Sequence, residues 1–185
     1  MFLLFAILLL GTGAMRLVEL LVSIRRFRAR PDALIGEPAL FPAMALLHFG
    51  LVFGPLAEVW LLERTFVPWL GGLCAVVLLG ATGLRVWTLR TIGGAWNVRV
   101  VRPSPGTIAT GGPYRWIRHP NYLCVVLELA ALPLFHTAWV SALALTCLNA
   151  AVLFVRIRTE EAMLMEIDAW REAFSDRARL IPGVF

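Results

Sequence analysis

The sequence predicts an all-α integral membrane protein with about five transmembrane helices, a cytoplasmic loop before the fourth and an amphipathic C-terminal helix. Composition is the first ground: of 185 residues, 59% are hydrophobic and 16% charged, where an ordinary soluble domain carries about 25% charge. Mean hydropathy is +0.78. The second is a series of apolar segments, most of them long enough to cross a hydrocarbon core of about 30 Å at about 1.5 Å per residue. The third is that the arginines gather in alternate connections, as the positive-inside rule requires of cytoplasmic loops.

Residues 1–22 are apolar and end in Arg25, Arg26, Arg28 and Arg30. A secretory signal would place its charge before the apolar run, so this segment is expected to stay as the first span. Residues 41–62 and 66–89 form the second and third, joined by Glu63, Arg64 and Thr65. Residues 122–135 and 137–155 form the fourth and fifth, with His136 between them. The fourth covers only roughly 21 Å. Arginine-rich connections then lie at 25–30, 90–118 and beyond 156, which places the N-terminus outside and the C-terminus in the cytoplasm. The expected location is the bacterial inner membrane. Trp60, Trp69 and Trp139 fall near one interface and Trp87, Trp96 and Trp116 near the other, as aromatic belts do.

In residues 160–174, Met163, Ile167, Trp170 and Phe174 recur at helical spacing opposite Glu161, Asp168, Arg171 and Glu172. This predicts an amphipathic helix lying on the membrane or packed over the cytoplasmic loop. No repeat divides the chain, so residues 1–185 read as one membrane domain: three N-terminal helices over 1–90, then loop, helical hairpin and C-terminal helix over 91–185.

Several classes are excluded or weakened. All 17 basic residues are arginine, and the net charge of +5 sits beside apolar spans, not on a soluble basic face, so no nucleic-acid partner is expected. Cys74, Cys124 and Cys147 occur singly, without disulfide framework or metal-ligand spacing.

Ionisable residues inside spans are costly and mark functional candidates. They are Arg16, Glu19, His48, Glu58, Glu128 and Arg156, and all but Glu58 fall in the cytoplasmic half. Arg16 and Glu19 read most simply as a pair three residues apart on one helix face. His48 reads equally as a structural histidine beside Pro42 and Pro55 or as a substrate contact. Glu128 needs a partner from another helix, and Glu58 has no evident role.

Residues 111–122, Gly-Gly-Pro-Tyr-Arg-Trp-Ile-Arg-His-Pro-Asn-Tyr, concentrate polar, basic and aromatic groups in an otherwise apolar chain. His119-Pro120 favours extended backbone before a helix, and Pro120 suits its first turn. His119, Asn121 and Tyr122 therefore gather at a helix N-terminus, with Arg115 and Arg118 nearby, a setting suited to an anionic group. Beyond the hairpin, Arg156 and Glu160 share a helix face four residues apart.

Together these elements resemble the isoprenylcysteine carboxyl methyltransferase family and the related phospholipid methyltransferases. The shared pattern is Gly112 and Tyr114 leading to Arg118-His119-Pro120 and Tyr122, a helical hairpin, then Arg156, Glu160-Glu161 and Leu164, and a closing Arg179-Leu180-Ile181-Pro182. The family often has glycine where this chain has Cys124. Trp96-Asn97 and Leu127-Glu128, taken with the loop, look like short bacterial members thought to O-methylate alkylpyrones and alkylresorcinols.

The resemblance implies an S-adenosyl-L-methionine-dependent methyltransferase with a lipophilic or prenylated acceptor arriving from the bilayer. Residues matching Tyr114, His119, Pro120, Asn121, Tyr122 and Glu160 line the cofactor site, Gly106, Thr107, Ile108 and Ala109 form a further cofactor strip, and Arg156 faces the acceptor. An isoprenylcysteine-type carboxylate or an acidic enol needs no base; a neutral phenol does, and His48 or Glu128 are the candidates. A phospholipid N-methyltransferase, a nicotinamide-dependent membrane reductase and a non-enzymatic membrane scaffold are the alternatives.

Overall fold

The computed structural model describes residues 1–29, 40–98 and 108–183. Six α-helices occupy these stretches: α1 (Phe2–Arg28), α2 (Leu40–Leu61), α3 (Pro68–Ile92), α4 (Pro120–Leu134), α5 (Trp139–Leu164) and α6 (Asp168–Phe174). Two 3-10 turns, Gly93–Ala95 and Gly112–Arg115, punctuate the connection from α3 to α4. Among the described residues, the only β pairing is a single parallel bridge between Ile117 and Ala178.

The helices α1, α2, α3 and α5 are long and apolar enough to cross a membrane, and their outward faces carry exposed apolar side chains such as Leu3, Leu46, Leu79 and Leu143. In bilayer these meet lipid instead of water. The expected all-α integral membrane architecture is therefore present. One apolar core runs through the bundle, built from Phe5 and Leu9 of α1, Leu51 of α2, Cys74 of α3 and Leu129 of α4.

The short helix α4 lies between α3 and α5. Its 15 residues span about 22 Å, yet its far end reaches the α2–α3 connection: the Thr137 hydroxyl donates to the Thr65 carbonyl at 2.7 Å. His136 is buried there among Phe2, Phe5 and Phe66. The shortfall is at the other end. His119, the N-cap of α4, is buried, so the helix starts inside the protein and not at its surface.

Glu58 acquires a role that its sequence position hides. Its carboxylate accepts the backbone N–H groups of Val140 at 3.1 Å and Ser141 at 2.7 Å, in the first turn of α5. Those N–H groups have no partner within the helix, and a negative charge suits the positive end of its dipole. Arg64 pairs with Glu58 at 3.1 Å.

The stretch 160–174 differs from the expected single amphipathic helix. Residues Glu160 to Leu164 complete α5, Met165 to Ile167 break the helix, and α6 is a separate seven-residue piece. Trp170 and Phe174 are buried, packing over the loop, with Phe174 edge-on to Tyr114 and Arg118 over the Trp170 ring. Glu161, still within α5, faces inward. It is buried, not on an exposed polar face.

Candidate active site

The loop before α4 is stitched to the C-terminal tail by backbone and by one carboxylate. Arg118 N–H donates to the Ala178 carbonyl at 2.9 Å and His119 N–H to Arg179 at 3.0 Å. The Arg118 guanidinium donates to the carbonyls of Ser175 and Arg177, each at 2.7 Å. Glu161 then accepts from Arg118 and His119 at 3.2 Å and from Arg179 at 2.9 Å. Arg177 returns to the loop through the carbonyls of Thr110 and Tyr114. Gly112 fixes the loop's other side. Its φ is +53°, and a Cβ there would stand 2.3 Å from the Thr91 hydroxyl, so only glycine lets the turn seat against α3.

Above this base Tyr122 links the two ends of the α4–α5 hairpin. Its hydroxyl accepts from Arg156 Nε at 2.7 Å and donates to the Glu160 carboxylate. The His119 ring stacks on it with centroids 5.2 Å apart. The other guanidinium nitrogens of Arg156 reach the Met44 sulfur and the Val98 carbonyl, which brings α2 and the end of the 93–98 segment to the hairpin. Ser23 holds that segment through Asn97 at 2.7 Å and Val98 N–H at 3.1 Å. Burial first, and the nearby Glu160 carboxylate second, raise the Tyr114 pKa above its usual value, so its hydroxyl remains a donor at neutral pH.

These groups border one continuous cavity of about 610 Å³. At one end it is polar, walled by Tyr114, His119, Asn121, Tyr122 and Glu160 under the α6 residues Trp170 and Phe174. At the other it is an apolar arm between α1 and α2, lined by Leu10, Gly13, Leu17, Val52 and Phe53. Arg156 stands on its wall and touches both the Tyr122 hydroxyl of the polar end and Met44 of α2.

A balanced group of four charges adjoins it, with Arg16, Glu19 and Arg85 on the cavity wall and Glu128 behind them. Arg85 reaches Glu128 at 2.9 Å and Glu19 at 3.6 Å; Arg16 pairs with Glu19 and reaches Glu128 at 3.2 Å. Arg16 and Glu19 are thus a helix-face pair and also part of a network spanning α1, α3 and α4. Arg85 donates further to Asn121 Oδ1 at 3.2 Å, leaving the amide NH2 of Asn121 for a ligand.

Most of the residues singled out in the sequence meet at this cavity: Ile108, Ala109, Tyr114, His119, Asn121, Tyr122, Glu160, Arg156 and His48 all line it. Gly106 and Thr107 lie outside the described residues. Pro120 is fully buried at the first turn of α4 and shapes the wall without forming it. Glu128 requires correction as a candidate base. It is not among the cavity-lining residues, and its oxygens are engaged by Arg85 and Arg16. Cys124 is likewise buried away from the cavity, its thiol donating to the Pro120 carbonyl.

Two residues were not singled out in the sequence, Arg85 and Asn149, and a third, Glu161, was read only as part of the Glu160-Glu161 pattern and of a polar helix face. Arg85 carries a signal, a lone guanidinium within the third apolar segment. Asn149 is uncharged and escapes a search for ionisable groups.

The sequence model of the Isoprenylcysteine carboxyl methyltransferase (ICMT) family matches residues 73–166, from early in α3 through the end of α5. A relative from Bacillus subtilis (strain 168), "Uncharacterized protein YpbQ", is 33% identical over 126 residues, covering 68% of this chain and 74% of that protein. The matched region holds the Gly112–Arg115 turn, all of α4 and the Arg156–Glu160 pair, and so most of the polar end of the cavity. The chain belongs to the isoprenylcysteine carboxyl methyltransferase family and is a membrane methyltransferase.

Proposed function

We propose that the protein transfers a methyl group from S-adenosyl-L-methionine to an oxygen of a lipophilic acceptor that enters from the bilayer. The observation that carries this reading is a continuous cavity with a polar end at the loop and an apolar arm between α1 and α2, meeting beside Arg156. A water-soluble cofactor and a membrane-dissolved acceptor need such a two-ended site.

The polar end fits the cofactor's chemistry. The Glu160 carboxylate and the rings of Tyr122, Trp170 and Phe174 suit a sulfonium cation. The Tyr114 hydroxyl and the Asn121 amide supply hydrogen bonds for hydroxyl and base groups, and His119 closes the wall behind Tyr122. Ile108 and Ala109 continue the wall toward the loop. When bound, the cofactor supplies an electrophilic methyl group.

The chain's own contribution is positioning, which can lower a barrier by roughly 7–11 kcal/mol when geometry is optimal. Arg156 would hold the acceptor oxygen: the Met44 thioether that it touches is a weak acceptor, readily displaced by an anionic oxygen. A carboxylate of the isoprenylcysteine type or an acidic enol arrives ionised. A neutral phenol must lose a proton, and His48, which lines the same cavity, would take it. His48 Nδ1 lies 2.7 Å from the Met44 carbonyl, which can only accept, so in the neutral ring Nε2 keeps its lone pair.

The test is direct. Detergent-purified protein should be thermally stabilised by S-adenosylhomocysteine and not by NADPH, and labelled methyl groups should pass into a lipid extract, with the product identified by mass. No stabilisation by S-adenosylhomocysteine together with no label in the lipid phase would remove the proposal.

A further inference from the structure

Besides the charged Arg16 and Glu19 of α1, two further polar side chains on α2 and α5 face the cavity. Asn149 precedes Arg156 by seven residues on α5, an interval that returns a helix to nearly the same face. It is 4% exposed and lines the cavity. Among the described residues its amide takes part in no hydrogen bond, and its polar atoms open on the cavity instead of being sealed in protein. An amide without a partner in a membrane interior is costly. A second polar residue stands opposite. Helix α2 runs against α5 with Gly50 at Leu145 and Gly54 at Ser141, while Met44 meets Arg156. Between those contacts His48 falls level with Asn149, and it lines the same cavity.

We infer that His48 and Asn149 form a subsite for a hydroxyl group of the lipophilic ligand. The inference rests on the proposed function only in taking the ligand to be the methyl acceptor. With Nδ1–H committed to the Met44 carbonyl, the neutral His48 ring offers an acceptor at Nε2, while the Asn149 amide offers both donor and acceptor. A hydroxyl is complementary, because it donates to Nε2 and accepts from the amide at once. A carboxylate has only acceptors and would meet the Nε2 lone pair, and a plain hydrocarbon chain satisfies neither group. The ligand class is therefore a lipid bearing an alcohol or phenol, its hydroxyl set between His48 and Asn149.

The experiment compares a long-chain alkylphenol with the alkylbenzene of equal chain length, binding being read from ligand-dependent thermal stabilisation of the detergent-purified protein. The wild type should bind the phenol about tenfold more tightly, the size of one hydrogen bond made in a buried site. Asn149→Leu, and separately His48→Phe, should bring that preference near unity. Asn149→Leu should also melt no lower than wild type, since it removes an amide that bonds nothing in the free protein. Equal binding of the two ligands by the wild type would overturn the inference, as would a preference that survives both substitutions. A lowered melting temperature of Asn149→Leu would overturn it too, by showing that the amide has a structural partner. Methyl transfer is not used in the readout. A protein that prefers the phenol but neither responds to S-adenosylhomocysteine nor transfers label would keep the subsite and lose the proposed function.

Discussion

Glu161 accepts from Arg118, His119 and Arg179, so one buried carboxylate joins the loop, the start of α4 and the tail. Glu161→Gln preserves its volume and removes the charge that these three donors face. The expected loss is about 3 kcal/mol, at the low end for breaking a buried pair, because Arg179 is 39% exposed. Both the melting temperature in detergent and the affinity for S-adenosylhomocysteine should fall; an unchanged melting temperature would mean that the tail is held by its backbone bonds alone. Arg156→Ala should behave differently. Tyr122 keeps Glu160 as a partner, so cofactor affinity should change by less than about threefold, while kcat/KM for the acceptor falls about a hundredfold, roughly 2.7 kcal/mol. Equal losses of the two would place Arg156 in the cofactor site. Tyr114, Tyr122, Arg156 and Glu160 were legible because a motif carries them and helical spacing pairs the last two. Glu161 was hidden by a periodicity that runs unbroken through Met163, Ile167, Trp170 and Phe174, although the helix breaks at Met165 to Ile167. Asn149 gives no signal in sequence, since its significance is the absence of a partner, which only packing reveals.

The helices α1, α3 and α4 meet through Arg16, Glu19, Arg85 and Glu128. Two positive and two negative charges cancel, and each would be expensive alone in a low-dielectric interior. Glu128→Leu should cost about 3–5 kcal/mol, because it leaves the Arg85 charge with only the longer ion pair to Glu19 beside its Asn121 hydrogen bond. The double variant Glu128→Leu with Arg85→Leu should recover part of that loss, with a coupling energy toward the upper end of the ~0.5–3 kcal/mol seen within one network. Unfolding in mixed micelles measures all four corners of the cycle; a coupling below ~0.3 kcal/mol would mean that the charges act independently. Hydropathy finds the membrane part of each element and little else. It places α2 to within a residue at either end, yet stops α1 at 22 and α5 at 155, whereas the helices continue to Arg28 and Leu164 as charged turns beyond the apolar run. Glu128 in sequence has no opposite charge in its own helix. Its partners come from α1 and α3, and nothing local announces them.

At the scale of the whole molecule, the polar end of the cavity lies on the side of the bundle where α1 ends in Arg25, Arg26 and Arg28. The opposite connections hold Glu63, Arg64 and His136. Exposed Trp60, Trp69 and Trp139 mark that far end, and Trp87 and Trp116 the near one. The positive-inside rule then predicts that the cavity's polar mouth faces the cytoplasm, with the N-terminus outside. The proposed methyl transfer depends on this orientation, because a charged methyl donor made in the cytosol does not cross hydrocarbon, whereas a lipophilic acceptor would reach the arm between α1 and α2 through lipid. Alkaline phosphatase fused after Arg64 should be active in bacterial cells, and a fluorescent protein fused to the C-terminus should fluoresce there. The reverse pair of results would turn the site away from its donor, and the proposed methyl transfer would then require an external source of S-adenosyl-L-methionine.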